Sequence, residues 1–433
     1  MIKKFLIIFL AILYSSNSLA VSLEDAILQA YKNNPELNAE RENLKASKED
    51  VNISRSEFLP TITLSGSKSE EKTEKLTDRS GANSAITDVN PKTRSITVEQ
   101  KLFQGFGGVA DLQKNKIGLN LAEVILIQKE QDILLKAVEA YTGLKLASEK
   151  VEINKRNVNL LERQVETDQI RLENGTITVA DLAQSESSLA GARASYIEAL
   201  NEVVTSKLTY EKVIGPIQDA NALDKKFTLS LEIPETLNQA MEISKNNNPD
   251  LIIAKLEFEQ SKKDIVIAGS DLSPQATISL ESSETDDLSA TYDERDKEVL
   301  KATVTWPIFK GGKNYSNLKK SKNLNIRKKL LYDNAIKSND TDVASAWSNL
   351  QSAKSLLESV KSQVEAAEIA NEGITLEYES GLSGRSTLDV IQSSSILLNS
   401  EISLANFERN YLLAQFNLLR SVGLLKIDYL KLQ

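Results

Sequence analysis

Residues 22–37 read SLEDAILQAYKNNPEL, and residues 236–251 read TLNQAMEISKNNNPDL. At this offset of 214, six pairs are identical: Leu23/Leu237, Ala26/Ala240, Asn33/Asn247, Asn34/Asn248, Pro35/Pro249 and Leu37/Leu251. Solenoid units recur every ~20–50 residues. A repeat this long is therefore a whole architectural half used twice in one chain.

The first twenty residues stand outside that pattern. Lys3 and Lys4 precede an apolar run over 5–14, and Ser18-Leu19-Ala20 supplies small residues at a cleavage position. This is the form of a secretory signal peptide, with cleavage expected between Ala20 and Val21. The run is too short to span a bilayer as a helix. Cysteine is absent, which excludes a disulfide-held small domain and a lipid-anchored cysteine after the signal. Histidine is absent too, removing the commonest general base and metal ligand. Nothing is spaced for a metal, a cofactor or a catalytic group. A formal charge of −9 that becomes more negative when Lys3 and Lys4 leave argues against nucleic acid. Hydrophobic residues at 41% with aromatics at only 5% suit long helices better than one thick core.

The prolines are informative by their positions. None lies between Val109 and Glu173, and none between Lys313 and Glu379. Because proline costs about 3 kcal/mol in a helix interior, both stretches permit very long helices. Each would be about 100 Å long at 1.5 Å per residue. Ala137, Tyr141, Leu144, Ser148, Val151, Lys155 and Val158 step by alternating fours and threes. Val343, Trp347, Leu350, Lys354, Leu357, Lys361 and Val364 do the same. That 3.5-residue period belongs to supercoiled helices. The lysines in the seam fit either an imperfect coiled coil or a helix packed sideways in a hollow cylinder. After each stretch comes a glycine break, at 174–176 and 380–384, followed by a second helical segment, so each half carries a helical hairpin.

Four short segments alternate with period two: Ile62 and Leu64; Ile96, Val98 and Leu102; Ala276, Ile278 and Leu280; Leu300, Ala302, Val304, Trp306 and Ile308. These are strands. Residues 66–94 and 282–297 are rich in Ser, Thr and charged side chains and read as solvated loops. An exported chain without a membrane helix can still cross a bilayer as a closed barrel. Four strands cannot close one, since about eight are needed. A crossing barrel would have to be shared by several copies.

Assembled in order, each half reads as short helices, strand hairpin, long helix, helix. The turns Leu102-Phe103-Gln104-Gly105-Phe106 and Ile308-Phe309-Lys310-Gly311-Gly312, the second preceded by Thr305-Trp306-Pro307, occupy the same place in each half. With the NNP segments and the hairpin breaks, they resemble the TolC-type outer membrane efflux proteins over the whole mature chain. The fold class expected is mainly α with a small β part, in two internal repeats, each a β-hairpin plus long coiled-coil helices. The resemblance implies a homotrimer in which an α-barrel crosses the periplasm and joins a twelve-stranded β-barrel in the outer membrane of a Gram-negative bacterium. It also implies a periplasmic adaptor and an inner-membrane transporter of the ABC, RND or MFS type, with the duct serving drug efflux or type I protein secretion.

The boundaries expected are a signal peptide over 1–20, a first repeat over 21–215 and a linker over 216–235 in the equatorial region. A second repeat follows over 236–423, then a C-terminal tail over 424–433. Within the repeats the strand hairpins fall at about 60–103 and 274–308, the long helices at about 107–174 and 312–380, and the second helices at about 179–214 and 386–422.

The resemblance places an entrance gate at the hairpin tips. It matches Asp181 to an aspartate linked to a tyrosine and an arginine of the second tip, here Tyr378 and Arg385. It matches Asp389 to a residue that makes the entrance cation-selective, as a ring of like charges would. The second tip carries two extra residues between Gly381 and Asp389, Gln392 stands where relatives often have another aspartate, and Ala180 replaces a common threonine. On the residues alone, Asp181 and Asp389 also suit the first turn of a helix, where the dipole favours carboxylates. Tyr378 also reads as a packing residue, and Arg385 as a solvated charge. The contrasting function is a periplasmic coiled-coil structural or adaptor protein without a pore. An exported enzyme finds no support.

Overall fold

A computed structural model describes residues 21–77, 79–84, 87–217, 223–224, 231–289, 292–380 and 384–432. The expected signal peptide, much of the expected linker and Gly381 lie outside the described residues. The described residues pack as two compact units, one drawn from 21–38, 127–248 and 339–432, the other from 39–126 and 249–338. Each unit takes segments from both halves of the sequence.

In the first unit, α1 (Leu23–Asn33) opens on Ser22, whose hydroxyl and Asp25 close a capping box. Pro35 begins α2 (Pro35–Ser56) at the position where its missing N–H is harmless. Asn34 joins the two helices: its Oδ1 accepts from the N–H groups of Glu36 at 2.9 Å and Leu37 at 3.3 Å. Its Nδ2 donates to the carbonyl of Val213, the last residue of α4 (Val179–Val213), at 3.0 Å. The second half repeats this. Between α5 (Leu237–Asn247) and α6 (Pro249–Ser270), Asn248 donates at 2.8 Å to Ser421, the last residue of α8 (Thr387–Ser421). The repeated NNP segment is thus a joint between a helix start and the end of a distant helix. Gly423 completes it with φ +79, and a Cβ there would strike the Asn247 carbonyl.

The long helices are α3 (Gly107–Glu173), of 67 residues, and α7 (Lys313–Ser380), of 68. Part of each belongs to the first unit. There α3 packs antiparallel to α4 through Lys150–Glu202, Glu162–Arg193 and Asp168–Ser185, and α7 to α8 through Gln363–Ser400 and Asn371–Ser393. The 3.5-residue period holds, but one row differs from the sequence reading. Lys155, Lys354 and Lys361 are exposed, while Ala147, Asn154, Leu161 and Asp168 are buried seven residues apart. In α7, Val343, Leu350 and Val364 stay enclosed, joined by Val360 and Ala367 in place of the lysines. A lysine ammonium does not give up water without a partner, so the stripe moves one residue over. The segment expected as a tail is packed, with Leu425 fully buried and the Ile427 N–H bound to Glu130 at 3.1 Å.

The second unit holds a four-stranded antiparallel sheet of β1 (Thr61–Lys68), β6 (Lys92–Gln104), β7 (Gln275–Asp286) and β8 (Glu294–Thr305), in the order β1-β6-β7-β8. The segments read as loops are shorter than expected. β1 and β6 extend through residues 66–68 and 92–94, and β7 and β8 through 282–286 and 294–297. Two small ribbons also form between β1 and β6: β2 (Glu71–Thr73) with β5 (Thr87–Val89), and β3 (Leu76–Thr77) with β4 (Asn83–Ser84). Polar composition marks exposure to water, not loss of pairing.

The register aligns Ile62, Val98, Leu280 and Leu300 across the sheet, with Leu64 and Ile96 one row on and Ile278 with Ala302 one row back. This apolar face is the open one, with Leu64 at 77% and Leu300 at 72% exposure. The opposite face carries Thr63, Thr97 and Ser95 and encloses Ser283 and Thr285. The sheet is inside-out relative to a soluble protein. At the turns into α3 and α7, Gly105 and Phe106 in one half and Gly311 and Gly312 in the other take consecutive positive φ values of 58 to 80°. Among the described residues, no helix is long and apolar enough to cross a membrane.

Candidate functional site

The expected gate residues lie where the two helical hairpins end, all within the first unit. Thr178 caps α4, and its hydroxyl and N–H donate to Asp181 Oδ2 at 2.7 and 2.8 Å. Ser386 caps α8 and binds Asp389 Oδ2 through its hydroxyl and N–H, both at 2.8 Å. Both aspartates thus close capping boxes. The hydroxyl of Thr178, then its N–H, holds the Asp181 carboxyl below the usual range. The N–H of Ser386, then its hydroxyl, does the same for Asp389, with a smaller contribution from Arg385.

Arg385 pairs with Glu377 at 2.7 Å, which raises its already high pKa. Within one chain it meets neither Asp181 nor Tyr378. The link from Asp181 to the second tip that the resemblance implies is not made inside a single copy.

Tyr378 is nearly fully buried and turns to a residue the sequence reading passed over. Its hydroxyl donates to Asp168 Oδ1 at 2.6 Å and sits 2.9 Å from Thr387 Oγ1. The hydroxyl has one proton, given to the carboxylate, so Thr387 donates to the tyrosine oxygen. Arg171 lies 4.0 Å from the Tyr378 ring centroid and donates to its carbonyl at 2.9 Å. Burial first, then the bond to Asp168, raises the pKa of the phenol. The signal for Asp168 was available: it falls on the heptad row of Ala147, Asn154 and Leu161. A search for apolar periodicity discards a carboxylate at such a place.

Beside this cluster a cavity of about 450 Å³ lies among α3, α7 and α8, lined by Leu161, Gln164, Asn371, Leu376, Val390 and Ile391. Among the described residues, no group of acidic, Cys or His side chains is arranged to hold a metal ion. The arrangement is a set of ties between helix ends.

The outer membrane efflux protein family matches residues 26–216 and 241–424, nearly all of both halves. The chain belongs to that family. It is an outer membrane protein of a Gram-negative bacterium, and it works as an efflux channel. It is similar to the outer membrane efflux protein BepC of Brucella suis biovar 1, at 26% identity over 98% of this chain and 90% of that protein. It is also similar to the outer membrane protein TolC of Escherichia coli K12, at 23% identity over 95% of this chain and 84% of that one. The fold matches the crystal structure of the outer membrane protein VceC of Vibrio cholerae with a TM-score of 0.79. That match has 18% identity and covers 93% of this chain and 96% of VceC.

Proposed function

We propose that this efflux protein is one protomer of a homotrimeric channel-tunnel, a passive duct for drug efflux or type I protein secretion. The observation that carries this reading is the inside-out sheet, in which the outer edges of β1 and β8 have no partner strand among the described residues. An open apolar face suits lipid, and an exposed strand edge in lipid must find a partner because no water is there to satisfy it. Pairing β1 of one copy with β8 of the next continues the antiparallel sheet until it closes. Three copies of four strands give the twelve that the family resemblance implies.

The two sequence halves then act as near-equivalent staves of the wall, bounded as the sequence reading has them. The helical hairpins form a periplasmic cylinder, and an adaptor and an ABC, RND or MFS inner-membrane transporter supply the energy. Asp181 and Arg385 act as gate ties between copies, and Asp389 contributes to a charged ring at the entrance. A pore-less periplasmic coiled coil would leave the apolar sheet face in water, which disfavours that reading. Native mass spectrometry of detergent-extracted outer membranes tests the proposal. A trimer is expected, and a monomer in the soluble periplasmic fraction would sink it.

A further inference from the structure

The carboxylate of Asp168 is fully shielded from solvent. It accepts from Gln164 Nε2 of α3 at 3.0 Å, Ser185 Oγ of α4 at 2.5 Å and Tyr378 Oη of α7 at 2.6 Å. Thr387, the first residue of α8, donates in turn to the Tyr378 oxygen. Three of the four helices of the two hairpins therefore meet on one carboxylate, and the fourth reaches it through Tyr378. Asp168 makes no ion pair among the described residues. Its nearest cation along the helix, Arg171, engages the ring and carbonyl of Tyr378 instead.

We propose that Asp168 is the positioning residue that holds the second hairpin closed against the first within each copy, leaving Asp181 and Arg385 for contacts between copies. This rests on the gated-duct reading above. The bonds from Gln164 and Ser185 lie inside the first hairpin and survive any swing of the second. The bond from Tyr378 crosses between hairpins and must break. A buried carboxylate that loses a donor before water reaches it is strongly disfavoured. The tip therefore has two states: Tyr378 seated, or the hairpins far enough apart to hydrate Asp168. Packed elements of this kind switch between arrangements and do not stretch continuously.

The test is single-channel conductance of the full-length assembled protein in planar lipid bilayers, with heat resistance on gels as the check on assembly. Tyr378→Phe removes only the crossing donor, and Asp168→Ala removes its acceptor. Each is expected to move the closed–open equilibrium about tenfold or more towards open. The double variant should go no further than the larger single one, because both break the same bond. Ser185→Ala, whose bond stays inside the first hairpin and does not cross to the second, should open the channel less than either. Wild-type conductance in assembled Tyr378→Phe and Asp168→Ala channels overturns the inference, as does opening by Ser185→Ala to the same extent. If Arg385→Ala opens the channel while those two do not, the gate stands and the role of Asp168 falls. If no tip variant changes conductance, Arg385→Ala included, the gate reading itself fails and takes the inference with it.

Discussion

The Asn34 side chain donates to the Val213 carbonyl at 3.0 Å across 179 residues of sequence, while its own oxygen caps α2. One carboxamide thus serves a helix start and a helix end, and Asn248 likewise donates to the carbonyl of Ser421. Asn34→Ala removes both services. The lost cap costs about 0.5–2 kcal/mol, and the unmet carbonyl adds about 1 kcal/mol. Asn34→Asp keeps the cap oxygen and should lose less. Chemical denaturation of the purified protein checks the order; equal loss for both variants would show that the cap oxygen contributes nothing.

The identity of Asn34 and Asn248 was legible in the sequence, but the carbonyl each binds was not, because nothing local points to a residue so far along the chain. The seam was legible in part for a related reason. Val343, Leu350, Leu357 and Val364 extend in sevens to Asn371 and Tyr378, so the row that carries the tip tyrosine could be read. Its companion row lies one residue from the lysines that a strict four-three step selects. Asp181 and Asp389 were found by likeness, and within one chain both close the capping boxes of Thr178 and Ser386. Asp168 was missed because a search for apolar periodicity discards a carboxylate even where it falls on the row of Ala147, Asn154 and Leu161.

The inside-out sheet makes a directional prediction. Leu300 lies in the row with Ile62, Val98 and Leu280 on the open face, whereas Thr303 lies on the opposite, less exposed face. Leu300→Arg should cost about 2–4 kcal/mol of insertion free energy per copy. Thr303→Arg should insert and narrow the conducting path. Outer-membrane fractionation measures both; normal insertion of Leu300→Arg would show that this face does not meet lipid.

The gate reading predicts that Asp181→Ala and Arg385→Ala each raise single-channel conductance. Arg385 is tied by Glu377 within its own chain, so Glu377→Gln should free it without opening the channel. Unchanged conductance in both alanine variants would remove them from the gate.

Asp389 is half-buried beside Arg385, and in a ring of copies its charge would favour cations at the entrance. Asp389→Ala should shift the reversal potential towards that of a non-selective pore in a salt gradient. Identical reversal potentials for the variant and the wild type would count against this role.

The tip should be insensitive to pH across the neutral range. There is no histidine in the chain, and the shifts at the four gate residues all lead away from neutrality. The folded pKa values of Asp181 and Asp389 are lowered by their cap partners. Their contribution is therefore complete above the unfolded value of about 3.9 and is lost as pH falls through the lower folded value. Tyr378 is shifted the other way, so its contribution is complete below about 10 and is lost as pH rises through its higher folded value. Arg385 is raised further still. Closed-state conductance in bilayers should then be flat from about pH 5 to 8 and should rise only below about pH 4. A step in conductance near pH 6 to 7 would mean that a group outside these four controls the entrance.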